Sequence, residues 1–324
     1  MEQRLLGNLS VSAVGFGCMG LSHAYGAALE KNQAVRRIQE AVEEGYTFFD
    51  TAEVYVGRYL DGSPAVNEEL VGEALKPFRN EVVIATKGGN YWNENHQITP
   101  DGSPASLRKS LEGSLKRLGV EVIDLYYQHR EDPAVEPEVV AEAMQAFIKE
   151  GKIKHWGISN ASAEYIRRAD DVCKVAAVQE RYSMMARWNE SLFPLLEERK
   201  IGLVAYSPLA NGFLSGVHAG KETFDKELDF RSRMPQYTEE GMLKAKQLTE
   251  ALGQIAVEHH ATPAQVSLAW MLCKKLWIVP IPGSSKPERI RENAAAAGIL
   301  LNRQELEQLD GLLDGMDFDV FGKQ

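Results

Sequence analysis

Short apolar runs alternate with amphipathic helical stretches almost from one end of the 324-residue chain to the other. Positions 15–19, 46–49, 82–86, 123–128, 153–159, 176–179, 201–206 and 277–281 read as eight strands, rich in Val, Ile, Leu and aromatic residues. Helical patterns lie between them. Val35, Ile38 and Val42 share one face of a helix expected over 32–44, and a second helix is expected over 67–75. Ser103-Pro104 reads as an N-cap followed by a first-turn proline, after which Leu107, Leu111, Leu115 and Leu118 form a buried stripe. A further helix, 138–149, is closed by Gly151. Continuous apolar strands separated by helices imply a parallel sheet covered on both faces, and eight units without a Gly/Ser/Pro-rich linker predict a closed α/β (β/α)8 TIM barrel. The whole chain, 1–324, is expected to be one domain.

Three additions to the plain barrel are expected. Residues 4–6 and 11–14, with the turn signal Gly7-Asn8 between them, predict an N-terminal hairpin. The polar, weakly periodic stretch 208–237 follows strand seven and is a candidate lid over a cofactor, since loops of that length are uncommon unless functional. A last helix, 303–313, packs outside the barrel.

In parallel α/β folds the chemistry gathers at the C-terminal ends of the strands. The second strand stops at Asp50, with Tyr55 in the loop beyond; the third ends at Lys87 and the fourth at His129. Alone, Asp50 and Lys87 read as a buried ion pair, Tyr55 as a loop anchor and His129 as a capped core histidine. Together at successive strand ends they form a candidate catalytic group. Gly15-Phe16-Gly17-Cys18-Met19-Gly20 matches the GxGxxG dinucleotide fingerprint, but no helix opens at its third glycine, so these glycines are assigned to close packing at the mouth of strand one.

A net charge of −10 argues against a general nucleic-acid binder. No apolar stretch is long enough to span a bilayer, and no membrane partner is required. Cys18, Cys173 and Cys273 form no CxxC pair, which fits a reducing, cytoplasmic location. His259-His260 are adjacent and face different directions, so a surface role is expected and no metal site is read. Tyr91 and Trp92 are candidates for a substrate rim; Tyr182, Met184, Met185 and Trp188 fit a rim or the core equally well. Ser285 with Glu288 reads as a capping box, and Lys286, Arg289 and Arg291 put a local basic cluster in its first turn or so. A helix N-terminus after strand eight of a barrel is a common phosphate site.

Phe49-Asp50-Thr51-Ala52-Glu53-Val54-Tyr55, Thr86-Lys87, Tyr127-Gln128-His129-Arg130, Gly157-Ile158-Ser159-Asn160 and Ile281-Pro282-Gly283-Ser284 together resemble the aldo-keto reductase superfamily, in the family's order and over nearly the whole chain. The resemblance implies reduction of an aldehyde or ketone, a small-molecule carbonyl substrate, to an alcohol with NADPH. Tyr55 would be the general acid, Lys87 would lower its pKa, Asp50 would hold Lys87, and His129 would donate to the developing oxyanion. It further implies that Ser159, Asn160 and Gln179 hold the nicotinamide carboxamide and that Tyr206 stacks on the ring. Ser284, Lys286 and Arg289 would meet the adenosine 2'-phosphate, and Glu292 and Asn293 the adenine. Cofactor contact extends in the same way to Gly17, Met19, Asp50, Ser207, Pro208, Leu209, Gly212, Leu214, Ile281 and Gly283. Two departures stand out: the link 56–66 is longer than usual, and Gly283 replaces a lysine found in some members. The alternative is a nicotinamide-binding regulatory or redox-sensing subunit with little turnover. Monomer and homo-oligomer stay open.

Overall fold

A computed structural model describes residues 1–94, 97–216, 224–225 and 229–320. Eight parallel strands run in sequential order around one sheet: β1 Phe16–Gly17, β2 Phe48–Asp50, β3 Val83–Gly88, β4 Ile123–Gln128, β5 Ile153–Ser159, β6 Ala177–Arg181, β7 Gly202–Tyr206 and β8 Ile278–Pro280. Backbone hydrogen bonds from Gly15 to Pro280 (2.9 Å) and from Gly17 to Pro282 (3.3 Å) join the first strand to the last. At this seam a Cβ on Gly17 would stand 2.7 Å from the Ile281 carbonyl oxygen, and one on Gly283 only 2.2 Å from that of Gly17. Gly17 of the GxGxxG match therefore serves backbone contact between strands, and Gly15 leaves room for the Phe48 and Ile281 side chains.

Helices cover the outside: α1 Lys31–Glu43, α2 Asn67–Leu75, α3 Pro104–Leu118, α4 Pro137–Lys149, α5 Ala163–Val172 and α6 Phe193–Arg199, followed after the seventh strand by α7 Glu239–Lys244, α8 Lys246–Glu258, α9 Pro263–Lys274, α10 Pro287–Ala295 and α11 Arg303–Asp314. α3 forms as its sequence dictates. Ser103 Oγ accepts the Ser106 N–H at 3.3 Å, Leu107, Leu111 and Leu118 are buried, and Gly119 ends the helix at φ 64°.

The hairpin Gln3–Leu6/Leu9–Ser12 lies against one end of the barrel interior. Its Leu6, Leu9 and Val11 pack with the inward residues Phe48, Leu125, Ala177, Val204 and Val279. From this layer the two-residue period of each strand sets the next one, because alternate side chains point to the same face. Phe48 leads to Asp50, Ala85 to Lys87, Leu125 and Tyr127 to His129, Ala177 to Gln179 and then Arg181, and Val204 to Tyr206. The register supports this layering: Lys87 pairs with Tyr127, Ser159 with Gln179, and Arg181 with Tyr206.

Three details differ from the sequence reading. The first strand is shorter than 15–19, because Met19–Leu21 turns into a 3-10 helix. The link 56–66 is itself a hairpin, Val56–Arg58 paired with Pro64–Val66, and Tyr91 and Trp92 lie on a second one, Asn90–Trp92 paired with Ile98–Pro100. Part of the long stretch after β7 is also ordered, as 3-10 turns Ala210–Ser215, Phe230–Arg233 and Pro235–Tyr237; residues 217–223 and 226–228 lie outside the described residues.

Candidate active site

Asp50, Lys87 and Tyr55 meet at the mouth of the barrel. Lys87 Nζ donates to Asp50 Oδ1 at 2.6 Å, to the Thr51 carbonyl at 2.8 Å and to the Tyr55 hydroxyl at 3.3 Å. Asp50 and Lys87 are 3% and 1% exposed, so the ion pair is withdrawn from water. Asp50 Oδ2 accepts from Gln179 Nε2 at 2.8 Å, which occupies the second carboxylate oxygen. Burial opposes the charge on Lys87, but the Asp50 carboxylate and the Tyr55 hydroxyl outweigh it and hold the ammonium above its ordinary pKa.

The Tyr55 hydroxyl was expected to be shifted down by Lys87. Its pKa is instead raised: burial disfavours the tyrosinate, and the nearby ammonium offsets only part of that cost. The Tyr55 ring lies between two imidazoles. His23 stacks on it with centroids 6.2 Å apart and planes 14° apart, and His129 meets it edge-on at 6.0 Å. Burial, then the charges of Lys87 and Arg130, hold His129 well below the ordinary histidine pKa, so it is neutral near pH 7. Its Nδ1 is buried and has no hydrogen-bond partner among the described residues. Val54 and Val56 flank Tyr55 and line, with His23, Asn90, Tyr91 and Trp92, a cavity of about 550 Å³. Tyr91 and Trp92 are half-exposed at its edge, whereas Tyr182, Met184 and Met185 are buried in the core.

A second polar group adjoins the first. Asn160 sits in the left-handed region at φ 55°, where its Oδ1 accepts from the Tyr206 hydroxyl at 2.8 Å and its Nδ2 donates to Ser159 Oγ at 2.9 Å. Gln179 follows on the neighbouring strand and links this group to Asp50. Four sequence-derived candidates, Ser159, Asn160, Gln179 and Tyr206, are therefore brought together beside the lysine–aspartate pair. The sequence reading missed Arg181. Its guanidinium lies 5.0 Å from the Tyr206 ring centroid and donates to Asn211 Oδ1 at 3.3 Å. Its inward position on β6, two residues after Gln179, was the available signal.

After β7 the backbone takes positive φ at Ser207, Ala210, Asn211 and Gly212, between 48° and 96°. Pro208 and Leu214 are buried, and Leu209 packs on the core; Leu214 is fully enclosed and presents no surface to a ligand. The same stretch folds onto the loop after β1. Asn211 Nδ2 donates to the Tyr25 hydroxyl at 2.9 Å, Tyr237 donates to the Asn211 carbonyl at 2.9 Å, and Tyr25 bridges to Asp229.

At the seam, Gly17 faces Ile281 and Gly283 across the strand-one and strand-eight ends, and Met19 opens the 3-10 turn that follows. The expected capping box is corrected. Lys286, not Ser285, is the N-cap of α10, because Pro287 occupies the first helical turn; Ser284 Oγ accepts the Lys286 N–H at 3.1 Å. Arg289 pairs with Glu292, which also accepts from the Thr262 hydroxyl, and Asn293 is buried. Arg291 turns away and pairs with Glu44 at 3.0 Å, which leaves Lys286 and Arg289 as the cations nearest the helix start. His259, expected at the surface, is instead partly buried and pairs with the buried Glu305 of α11 at 2.8 Å.

The Aldo/keto reductase family profile matches residues 13–314. The chain is 40% identical over 301 residues to probable aldo-keto reductase 1 of Glycine max, covering 92% of this chain and 84% of that protein. Its fold matches the glycerol dehydrogenase of Gluconobacter oxydans with a TM-score of 0.86 at 27% identity, over 99% of this chain and 98% of that one. An aldo-keto reductase of Bacillus halodurans, solved in its holo form, matches with a TM-score of 0.77 at 26% identity, over 96% of each chain. The chain belongs to the aldo/keto reductase family, nicotinamide-dependent oxidoreductases acting on carbonyl groups.

Proposed function

We propose that this protein reduces aldehydes or ketones to alcohols with NADPH, with Tyr55 as the proton donor. The observation that carries this reading is the contact of the Lys87 ammonium with both the Tyr55 hydroxyl, at 3.3 Å, and the Asp50 carboxylate, at 2.6 Å. An alkoxide formed at a reduced carbonyl must be protonated, and a tyrosine near pKa 10 is a reluctant donor unless a cation stabilises its anion. Lys87 supplies that cation. Asp50 keeps it charged and, through Gln179, ties it to the Ser159–Asn160 turn. Neutral His129, with a ring nitrogen unpaired, donates to the carbonyl oxygen without changing the charge of the site.

The residues around the mouth fit a nicotinamide dinucleotide. Ser159, Asn160 and Gln179 offer the donors and acceptors a carboxamide needs, and Tyr206 offers a ring to stack on. Lys286 and Arg289 with Ser284 suit the 2'-phosphate. When bound, the cofactor supplies the hydride. The likeness to a glycerol dehydrogenase accords with alcohol–carbonyl interconversion. The chain works as one catalytic domain, 1–324, and its three free cysteines accord with a cytoplasmic location.

The test follows loss of reduced-nicotinamide absorbance with a panel of aldehydes, ketones and quinones. Turnover that is faster with NADPH than with NADH is expected. Cofactor binding without turnover across the panel would contradict the enzyme reading and leave a regulatory module.

A further inference from the structure

Glu180 lies between Gln179 and Arg181 on β6 but takes no part in the chemistry above. Gln179 points into the barrel, so Glu180 points out, towards the turn that follows β5. It is only 4% exposed. One carboxylate oxygen accepts the backbone N–H of Ala161 at 2.7 Å, and the other accepts Asn189 Nδ2 at 3.3 Å; that same amide also donates to the Arg181 carbonyl at 3.1 Å. Ala161 directly follows Asn160, which sits at φ 55° in the left-handed region that asparagine tolerates better than most residues. From the turn's other side Glu131 accepts the Ser162 N–H at 2.5 Å. The backbone at Ala161 and Ser162 is thus held by two carboxylates, only one of which is buried.

We infer that Glu180 is the positioning residue of the nicotinamide site: its carboxylate fixes the turn that presents Ser159 and Asn160, so the affinity for a nicotinamide dinucleotide follows the charge of Glu180. This rests on the functional reading above, which gives Ser159 and Asn160 to the carboxamide. A carboxylate accepts an N–H more strongly than a protonated acid does, so protonation weakens the hold on Ala161. The titratable and charged groups facing Glu180 from other elements are Glu131 and Arg130, both from the loop after β4, and Tyr206 on β7. Burial, with Glu131 adding to it and Ala161 N–H and Arg130 opposing, pushes the Glu180 carboxyl up to about 7. The switch therefore operates near neutrality, with tight binding on the alkaline side and weaker binding on the acid side.

The experiment measures NADPH dissociation constants by nicotinamide fluorescence from about pH 6 to about pH 8, for the wild type, Glu180→Gln and Glu180→Ala. Gln keeps an acceptor for Ala161 but cannot ionise. The wild type should bind several-fold more weakly at the acid end. Glu180→Gln should bind at every pH as weakly as the wild type does at the acid end, without that pH slope, while Glu180→Ala, which offers no acceptor, should bind about tenfold more weakly at every pH than the wild type at the alkaline end, the scale of one charge-assisted hydrogen bond. Titration of the cofactor's own phosphate persists in all three proteins, so the difference between profiles isolates Glu180. A folded Glu180→Gln with the full wild-type slope, or a folded Glu180→Ala with unchanged affinity, would overturn the inference. Absence of nicotinamide binding by the wild type at every pH would instead overturn the functional reading beneath it.

Discussion

The Lys87 ammonium donates to the Tyr55 hydroxyl across 3.3 Å and lies 5.0 Å from the centre of its ring, so the buried cation acts on the oxygen and on the π-face together. Burial nevertheless keeps the Tyr55 pKa above its ordinary value, with the lysine holding it back from rising further. Replacing Lys87 by Met removes that restraint. The alkaline limb of the kcat/KM profile for reduction should move to higher pH, and the rate at neutrality should fall. An unmoved limb would show that Lys87 does not tune Tyr55.

The pair of Asp50 and Lys87 also has a structural cost. Removing one partner leaves the other charge buried without compensation, so Asp50→Ala should lose about 3–5 kcal/mol of stability. Urea unfolding with an unchanged slope measures this. The double variant Asp50→Ala/Lys87→Met should regain part of the loss, because no isolated charge is left. A loss below about 1 kcal/mol in the single variant, the range of exposed pairs, would contradict the burial of this ion pair.

Glu180 is expected to be a stability liability above neutrality. Its folded pKa is raised from an ordinary 4.5 to about 7, so the folded state binds the proton more tightly than the unfolded chain. The resulting stabilisation is complete below about pH 4.5 and is lost as pH rises through about 7. At the acid end both proteins carry a neutral side chain, so Glu180→Gln should gain on the wild type only as pH rises, by about 3 kcal/mol at pH 8 from a shift of that size. Thermal melts at about pH 5 and about pH 8 read the difference. A gain of equal size at both would contradict the ionisation.

The fold was legible because strand and helix periods alternate eight times, and Asp50, Lys87 and His129 because each ends an apolar run on the inward parity set by Phe48, Ala85 and Tyr127. The capping of α10 was misread although its signal was present: Pro287 marks the first turn and makes Lys286 the cap, overriding the Ser285–Glu288 spacing. The hairpin Val56–Arg58/Pro64–Val66 has strands too short and polar for an alternation to register. Contacts such as Asn211 with Tyr25, 186 positions apart, depend on how two loops fold over each other, and no local pattern encodes that.

Cofactor choice is read from the start of α10. Arg289→Ala should raise the KM for NADPH about tenfold while changing that for NADH much less, since only the former carries the phosphate that a guanidinium pairs with. Equal losses with both cofactors, or a wild-type preference for NADH, would show that Ser284, Lys286 and Arg289 do not read the phosphate.

The central claim is that Tyr55 donates the proton to a reduced carbonyl. Tyr55→Phe keeps the ring between His23 and His129 and deletes only the hydroxyl that Lys87 contacts. With NADPH and an aldehyde turned over by the wild type, kcat should fall by about a hundredfold to ten-thousandfold, while the dissociation constant for NADPH stays unchanged. Turnover close to that of the wild type would contradict the assignment.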